Sequence, residues 1–228
     1  MSKGDLKRFF IDDELREGAV VKLPATLARR LDTVLRTDEG ARIGLFNGSS
    51  GLFEADVLRD GKAGVGRELL AHTPCPPLEL WLGLPKRDAF ETCLRMATEL
   101  GVTRIVPLLT SFVVKKDINP ERAHTLMVEA CEQCERLDLP VLAPIAKLDT
   151  ALHTLQGKLA WAASREVEGR EELMPDPMLR AILIGPEGGF SPAEENLLMR
   201  HAGVVPVSLG DTILRVDTAV AAGLARLK

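Results

Sequence analysis

The sequence contains no tyrosine, and aromatic residues make up only 4% of its 228 residues. It also lacks any apolar run that approaches the ~20 residues of a membrane-spanning helix, and its opening, MSKGDLKRFFIDDELREG, is charged throughout, unlike a signal peptide. The net charge of −4 argues against a protein that binds polyanions through bulk positive charge, although a local basic face is compatible with it. We therefore expect a cytoplasmic protein that does not enter a membrane.

Cysteines are also few, and they do not form a recognisable metal-binding pattern. The chain has Cys75, Cys93, Cys131 and Cys134. The last two form a C-x-x-C pair, which resembles half of a zinc site, but no second pair stands at ligand spacing. Helical periodicity places both on an apolar stripe. We interpret them as reduced core thiols and expect no metal.

The first third of the chain has the pattern of a small β-rich domain. Short apolar runs alternate with the turn signals Asn47-Gly48, Ser50-Gly51 and Asp60-Gly61. Helical spacing occurs once, in ATLARRLDTVLR. The segment HTPCPPLE, residues 72–79, carries three prolines and is a candidate linker. The pattern predicts a compact antiparallel barrel with one helix over residues 1–72, followed by a second domain over 73–228.

The second domain alternates strand-like and helix-like segments. LELWLGL, RIVPLL, KLAWAA, AILIG and VVPVSLG are typical of buried strands. Asn119 and Pro120 predict the start of one helix, and Ser191 with Glu194 forms a capping box at the start of another. Strand–helix alternation predicts an α/β fold with a largely parallel sheet covered on both faces.

One turn of this domain, ILIGPEGGFS, has the composition of a ligand-binding strand end. Its glycines at 185, 188 and 189 allow close backbone approach, and a helix N-terminus follows. A phosphate-binding loop is excluded because no Gly-Lys-Ser/Thr follows, and the G-x-G-x-x-G fingerprint is absent. Glu187 would repel a pyrophosphate. The turn therefore suits a ligand that is not strongly anionic, and a purely structural tight turn is an equal alternative.

A second strand end, SLGDTILRVDTA, could complete a pocket with the first. It carries Gly210 and continues through apolar Ile213 and Leu214, which would form an apolar wall. Arg215 and Asp217 follow directly. A buried Arg–Asp pair with a structural role is the alternative interpretation of these two residues.

Taken together, LIGPEGGFS and LG-x-x-ILR-x-D-TA resemble the RsmE family of the SPOUT class, which methylates N3 of a uridine in small-subunit ribosomal RNA. RFF, VLR, ATELGVTRIVPL and EACEQCERLDLP extend the similarity over nearly the whole chain. The resemblance implies an N-terminal PUA-like β-barrel and a C-terminal SPOUT-type α/β domain with a trefoil knot at roughly 160–220. It implies S-adenosylmethionine as cofactor, ribosomal RNA of the small subunit as substrate, and a homodimer.

The resemblance also implies roles for individual residues. The cofactor loops would be formed by Ser164, Ile184, Gly185, Pro186, Glu187, Gly188, Gly189, Leu209, Gly210, Ile213 and Leu214. Candidate catalytic residues are Arg215, Arg136, Glu187 and Asp217, because N3 must lose a proton and the resulting charge must be stabilised. RNA-binding candidates are Arg8, Arg30, Arg36, Lys86, Arg87, Lys115, Lys116 and Gln133. A structural salt bridge is the favoured alternative for each of the four catalytic candidates, and a solvated surface is the equal alternative for the basic residues among the first 36.

Some positions depart from the family pattern. Arg30 stands where histidine is frequent, Phe112 where arginine is common, and Asp217 where glutamate is usual; Ala89 and Met96 replace frequent lysines. Fewer basic side chains could weaken phosphate contacts, and the low aromatic content predicts recognition of folded RNA with few stacking platforms. A catalytically inactive RNA-binding relative, and a SPOUT methyltransferase acting on another RNA, are the alternative functions.

Overall fold

The computed structural model describes residues 6–35, 37–113 and 117–227. The chain divides into two compact units. The first comprises Met1–Cys75 with Val128–Leu139, and the second comprises Pro76–Met127 with Pro140–Lys228. The boundary between the two units near residue 75 falls at the proline-rich segment. No local sequence pattern predicts that residues 128–139 belong to the first unit.

A five-stranded sheet forms the first unit, in the order β1-β3-β4-β5-β2. Its strands are β1 (Arg8–Phe10), β2 (Val20–Lys22), β3 (Arg42–Phe46), β4 (Leu52–Leu58) and β5 (Lys62–Leu70). Neighbours are antiparallel except β1 and β3, which are parallel. The antiparallel prediction is wrong at this pair because β2 and a helix lie between the two strands and return the chain in its original direction.

A helix forms where the spacing of ATLARRLDTVLR predicts one. It comprises α1 (Ala25–Arg29) and a π-helical turn at Arg30–Val34. Leu27 and Leu31 are buried and join the core of the sheet. Phe9 and Leu45, which are at most 1% exposed, belong to the same core.

The sheet of the second unit is parallel at every pairing among the described residues, as predicted. Its order is β11-β13-β10-β12-β6-β7-β8, and β9 also pairs with β7. The strands are β6 (Glu79–Gly83), β7 (Arg104–Leu109), β8 (Val141–Leu142), β9 (Ala146–Lys147), β10 (Lys158–Ala162), β11 (Glu171–Glu172), β12 (Leu179–Ile184) and β13 (Val204–Ser208). Leu80, Trp81 and Leu82 are consecutive and buried, because helices cover both faces of the sheet.

Five further helices are α2 (Arg87–Glu99), α3 (Pro120–Cys134), α4 (Leu148–Leu152), α5 (Pro192–Arg200) and α6 (Val216–Arg226). The predicted caps are confirmed: Asn119 Oδ1 accepts the backbone N–H of Arg122 at 3.0 Å, and Ser191 and Glu194 form a reciprocal capping box. The last helix, α6, packs against α2 and β12, where Gly223 lies directly against Ile182. No helix in the described part of the chain is long and apolar enough to cross a membrane.

Candidate functional site

The carboxyl ends of three neighbouring strands of the second unit open into one large cavity. β12, β10 and β13 are adjacent in the sheet and parallel, so the segments that follow them emerge at the same edge. The cavity has a volume of about 1110 Å³ and is lined by residues 162–166, 184–190, 209–210 and 212–217, by Arg170 and Glu195, and by the start of α2. The structure thus brings together all eleven residues predicted for the cofactor loops.

The turn after β12 is compact and is fixed by its own backbone. The Gly189 N–H donates to the Pro186 carbonyl at 2.9 Å, and Gly189 has φ +68°, a conformation that favours glycine. A Cβ at Gly188 would lie 2.9 Å from Cβ of Phe112, in the loop after β7. The small size of residue 188 therefore allows a second loop to approach the turn.

Side-chain hydrogen bonds connect the loops around the cavity. Glu194 Oε1 accepts the Ser111 N–H at 2.8 Å, and Ser164 Oγ donates to Glu195 Oε1 at 3.4 Å. These two glutamates occupy the first turn of α5, so one helix start holds the loops after β7 and after β10.

Two arginines in the segment after β10 reach the end of β13. Arg165 donates to the Asp211 carbonyl, and Arg170 donates to Ser208 Oγ at 3.2 Å. Sequence reasoning missed Arg165, Arg170 and Glu195. The sequence offers one signal for a role at the site: Arg165 and Arg170 follow a buried strand, and Glu195 lies in the first turn of a helix.

Arg215 and Asp217 both line the cavity but do not form the buried pair considered as an alternative. Arg215 is exposed at the N-cap of α6, and it forms no ion pair with any described residue. Asp217 is half-buried and accepts the N–H of Thr218 at 2.8 Å. The pair is absent because the start of α6 leaves the arginine side chain in solvent.

Glu187 has a defined hydrogen-bonding role at the cavity rim. Its Oε1 accepts the N–H of Lys86, the N-cap of α2, at 3.2 Å. A carboxylate at this place interacts favourably with the positive end of the helix dipole. Glu187 is exposed and forms no salt bridge within the described part of the chain.

The sequence predicts that Ile213 and Leu214 form an apolar wall of the pocket. Ile213 lines the cavity, yet 85% of its surface is exposed. Leu214 beside it is half-buried. The apolar wall is therefore incomplete.

Gln133 and Arg136 belong to the first unit. Gln133 lies on α3, whereas Arg136 lies beyond the end of that helix, because α3 ends at Cys134 and Glu135 has φ +64°. The Arg136 side chain is 7% exposed and its Nη2 pairs with Asp138 Oδ2 at 3.0 Å. Burial alone would raise the pKa of Asp138, but hydrogen bonding and charge from Arg136 dominate and lower it.

All three RNA-binding candidates that are arginines within the described residues have acidic partners. Arg8 pairs with Glu135 at 2.7 Å, Arg30 with Glu132 at 2.8 Å and Arg87 with Glu91 at 3.1 Å. Lys86 is exposed and lines the cavity, and Gln133 is exposed on α3. Arg36, Lys115 and Lys116 lie outside the described residues.

Cys93 and Cys131 pack as core thiols, whereas Cys75 and Cys134 are half-buried, so the interpretation as a core thiol is wrong for Cys134. Cys93 and Cys131 are fully buried, and burial raises the pKa of each thiol to about 12. Both therefore remain protonated and unreactive at neutral pH. Across the described residues, no cluster of three or more His, Cys, Asp or Glu side chains could hold a metal ion.

The charges of the cavity indicate what it can bind. Its lining contains four basic side chains and five carboxylates, so it offers no net attraction to a polyphosphate. Backbone groups of the turn and loops supply neutral donors and acceptors. A ligand of moderate size that is neutral or carries positive charge fits this lining.

Comparisons with known proteins agree with this geometry. A family model described as an RNA methyltransferase domain matches residues 72–228. Ribosomal RNA small subunit methyltransferase E of Rickettsia conorii is 30% identical over 97% of this chain and 94% of its own length. The corresponding protein of Bacillus subtilis is 26% identical over 94% of this chain and 93% of its own length. A crystal structure of the Neisseria gonorrhoeae enzyme of that name, bound to S-adenosyl methionine, matches with a TM-score of 0.83 and 28% identity, covering 96% of both chains.

Proposed function

The chain belongs to the RNA methyltransferase family represented by ribosomal RNA small subunit methyltransferase E, and from this we propose what it does. It transfers a methyl group from S-adenosylmethionine to N3 of a uridine in small-subunit ribosomal RNA, at the family's usual position. The observation that carries this proposal is the cavity of about 1110 Å³ at the ends of β10, β12 and β13. Two of the segments that line it, 184–190 and 209–217, carry the family resemblance in their sequences.

The cofactor site is assigned to the three loops that line this cavity. The turn 185–189 and the loop 209–214 present backbone groups to the adenosine portion, and Ser164 forms the third wall. The fit is supported by the volume of the cavity and by its excess of carboxylates, which favours a sulfonium cation over a polyphosphate. S-adenosylmethionine, when bound, supplies an electrophilic methyl group.

The chain's own side chains must orient N3 and manage its proton. Uracil N3 is a poor nucleophile while it keeps its proton, so a base and a group that stabilises the anion are required. Arg215 is exposed at the cavity and forms no ion pair within the described residues, so its guanidinium is available to stabilise the charge on the ring oxygens. Arg136, the other candidate for this role, is paired with Asp138.

Asp217 and Glu187 are the candidates for accepting the N3 proton. Both line the cavity with Arg215. Glu187 already accepts the N–H of Lys86. We assign proton acceptance to Asp217, whose only described hydrogen bond is local, to the next residue.

The finer features of the fold are also part of the proposal. Residues 1–72 are assigned as a PUA-like barrel, and residues 73–228 as a SPOUT domain whose chain forms a trefoil knot at roughly 160–220. The knot is supported by β10 lying between β12 and β13 and by the return of α6 to β12. RNA contacts are assigned to Arg8, Arg30, Lys86, Arg87 and Gln133, and also to Arg36, Lys115 and Lys116. The active form is assigned as a cytoplasmic homodimer.

The test is methyl transfer from isotopically labelled S-adenosylmethionine to small ribosomal subunits and to free ribosomal RNA that lack the modification. Mass spectrometry of the digested RNA should identify N3-methyluridine. In Arg215→Ala we expect kcat to fall about a hundredfold while cofactor affinity is retained, and exposed Arg200→Ala serves as the control. Cofactor binding without methyl transfer would favour the inactive RNA-binding relative. A methylated nucleotide elsewhere would favour another RNA substrate.

A further inference from the structure

Phe112 is the only exposed aromatic residue of this chain. The sequence contains seven phenylalanines and two tryptophans, and all nine lie within the described residues. Eight of them are buried or half-buried, whereas Phe112 is 51% exposed. It lies in the turn after β7, in the second unit.

The backbone around this side chain is fixed on both sides. The Ser111 N–H donates to Glu194 Oε1 at 2.8 Å, and Ser111 Oγ lies 3.1 Å from Ser191 Oγ. The Val113 N–H closes the turn on the Thr110 carbonyl at 3.2 Å. The exposure of Phe112 is therefore a property of an ordered turn that is attached to the start of α5.

The same side chain lies against the wall of the cofactor cavity. A Cβ at Gly188 would lie 2.9 Å from Phe112 Cβ and 3.6 Å from its Cγ. Gly188 itself lines the cavity. Phe112 is not itself among the lining residues, so its flat apolar ring is held just outside the cavity, next to a turn that lines it.

We propose that Phe112 is a substrate-binding residue that stacks on an unpaired base of the RNA, either the target uracil or its immediate neighbour. The inference rests on the proposed function, because a base can reach the methyl donor only after leaving its helical stack. Aromatic side chains are the usual stacking partners of such bases, and a phenylalanine provides this surface without contributing charge. Phe112 would thus bind the base itself, while other residues contact the phosphates.

The experiment compares Phe112→Ala, Phe112→Leu and Phe112→Trp with wild type. Met178→Ala is the control, because Met178 is 63% exposed and precedes the amino end of β12, away from the cavity edge. We would measure KM and kcat with unmodified small-subunit RNA, the dissociation constant of S-adenosylmethionine by calorimetry, and the oligomeric state. Methylation by the wild-type protein is measured first. Its absence would contradict the proposed function, whereas the variants test only the role of Phe112.

We expect Phe112→Ala to raise the KM for RNA about tenfold, with the affinity for S-adenosylmethionine unchanged. Phe112→Leu should resemble alanine, because it keeps apolar bulk but lacks a ring, and Phe112→Trp should retain the wild-type KM. An unchanged KM in Phe112→Ala, or a wild-type KM in Phe112→Leu, would overturn the proposal. So would an equal loss of cofactor affinity, or a change in oligomeric state at unchanged KM, which would indicate a protein interface.

Discussion

Gly188 allows two loops to lie close together because its side chain is a single hydrogen atom. A Cβ at this residue would approach Phe112 to 2.9 Å, so a larger side chain must displace the loop after β7 or the turn itself. The sequence alone predicts that Gly188→Val abolishes cofactor binding by blocking close backbone approach. The structure shows that the new side chain would also clash with Phe112.

We expect Gly188→Val to weaken S-adenosylmethionine binding at least about tenfold, because relieving an overpacked contact costs ~1–3 kcal/mol. Calorimetric titration measures the change. Gly64→Val is the matched control, since a Cβ at Gly64 meets only Leu58 Cδ1 at 3.7 Å, an ordinary contact. Undiminished cofactor affinity in Gly188→Val would refute the assignment of the pocket.

The Arg136–Asp138 pair provides a pH-dependent prediction. The pKa of Asp138 is lowered in the folded protein, where Arg136 outweighs the effect of burial. A carboxylate with a depressed pKa stabilises the fold above its unfolded pKa, near ~4, and this contribution is lost as pH falls through the folded pKa. Asp138→Asn should therefore reduce the free energy of unfolding by about 1–2 kcal/mol at pH 7.

The difference between wild type and Asp138→Asn should shrink as the pH falls below ~4. Urea denaturation at a series of pH values measures this trend. Glu39→Gln is the control, because the Glu39–Arg59 pair is exposed and such pairs contribute little. A difference that stays constant down to the lowest pH would show that the carboxylate charge is not the source of the stability.

At the scale of elements, the start of α5 has two roles. Its capping box satisfies free N–H groups of the helix, and its Glu194 also accepts the Ser111 N–H. Ser191→Ala should reduce stability by about 1 kcal/mol and should also weaken cofactor binding, because the turn before the helix loses its anchor.

Asn119→Ala separates these two effects. Asn119 Oδ1 also accepts a backbone N–H at a helix start, that of α3, but no described hydrogen bond of its side chain reaches the loop after β7, as that of Ser191 does. It should show a similar loss of stability in thermal or urea unfolding with unchanged affinity for S-adenosylmethionine. If both variants bound the cofactor as tightly as wild type, the positioning role of α5 would be wrong.

Helices and strands were predictable from the sequence where nearby residues determine where they begin or whether they are buried. Asn119, Pro120 and the pair Ser191–Glu194 mark helix starts through hydrogen bonds made within four residues, and the structure confirms them. Buried strands such as β12 follow from uninterrupted apolar runs. From the same patterns one predicts that the segments 184–190 and 209–217 lie at one edge of a parallel sheet, as the structure shows.

Features that depend on distant contacts were not predictable. The parallel pairing of β1 with β3 depends on where the chain returns, and the end of α3 at Cys134 depends on a positive φ at Glu135, a residue without a turn signature. The cross-loop bonds of Arg165 and Glu195 join residues 46 and 31 positions away in the chain. No spacing rule relates such residues.

At the scale of the whole molecule, the proposed homodimer gives a further prediction. Ile213 is 85% exposed at the cavity, and we place it in the proposed dimer interface, where a partner subunit would cover its apolar side chain. Ile213→Ser should shift the protein toward monomer, with the dimer dissociation constant rising about tenfold. Sedimentation measures the change, and exposed Val141→Ser is the control. A stable dimer in Ile213→Ser, or a monomeric wild type, would contradict this assignment.

The most direct test of the central claim is calorimetric titration of the full chain with S-adenosylmethionine, beside ATP as an unrelated nucleotide. The cavity at the ends of β10, β12 and β13 has carboxylates in slight excess and no phosphate-binding loop. We therefore predict saturable binding of S-adenosylmethionine at one site per chain and no binding of ATP. Absence of S-adenosylmethionine binding, or equal binding of both ligands, would contradict the assignment of this cavity as the methyl-donor site.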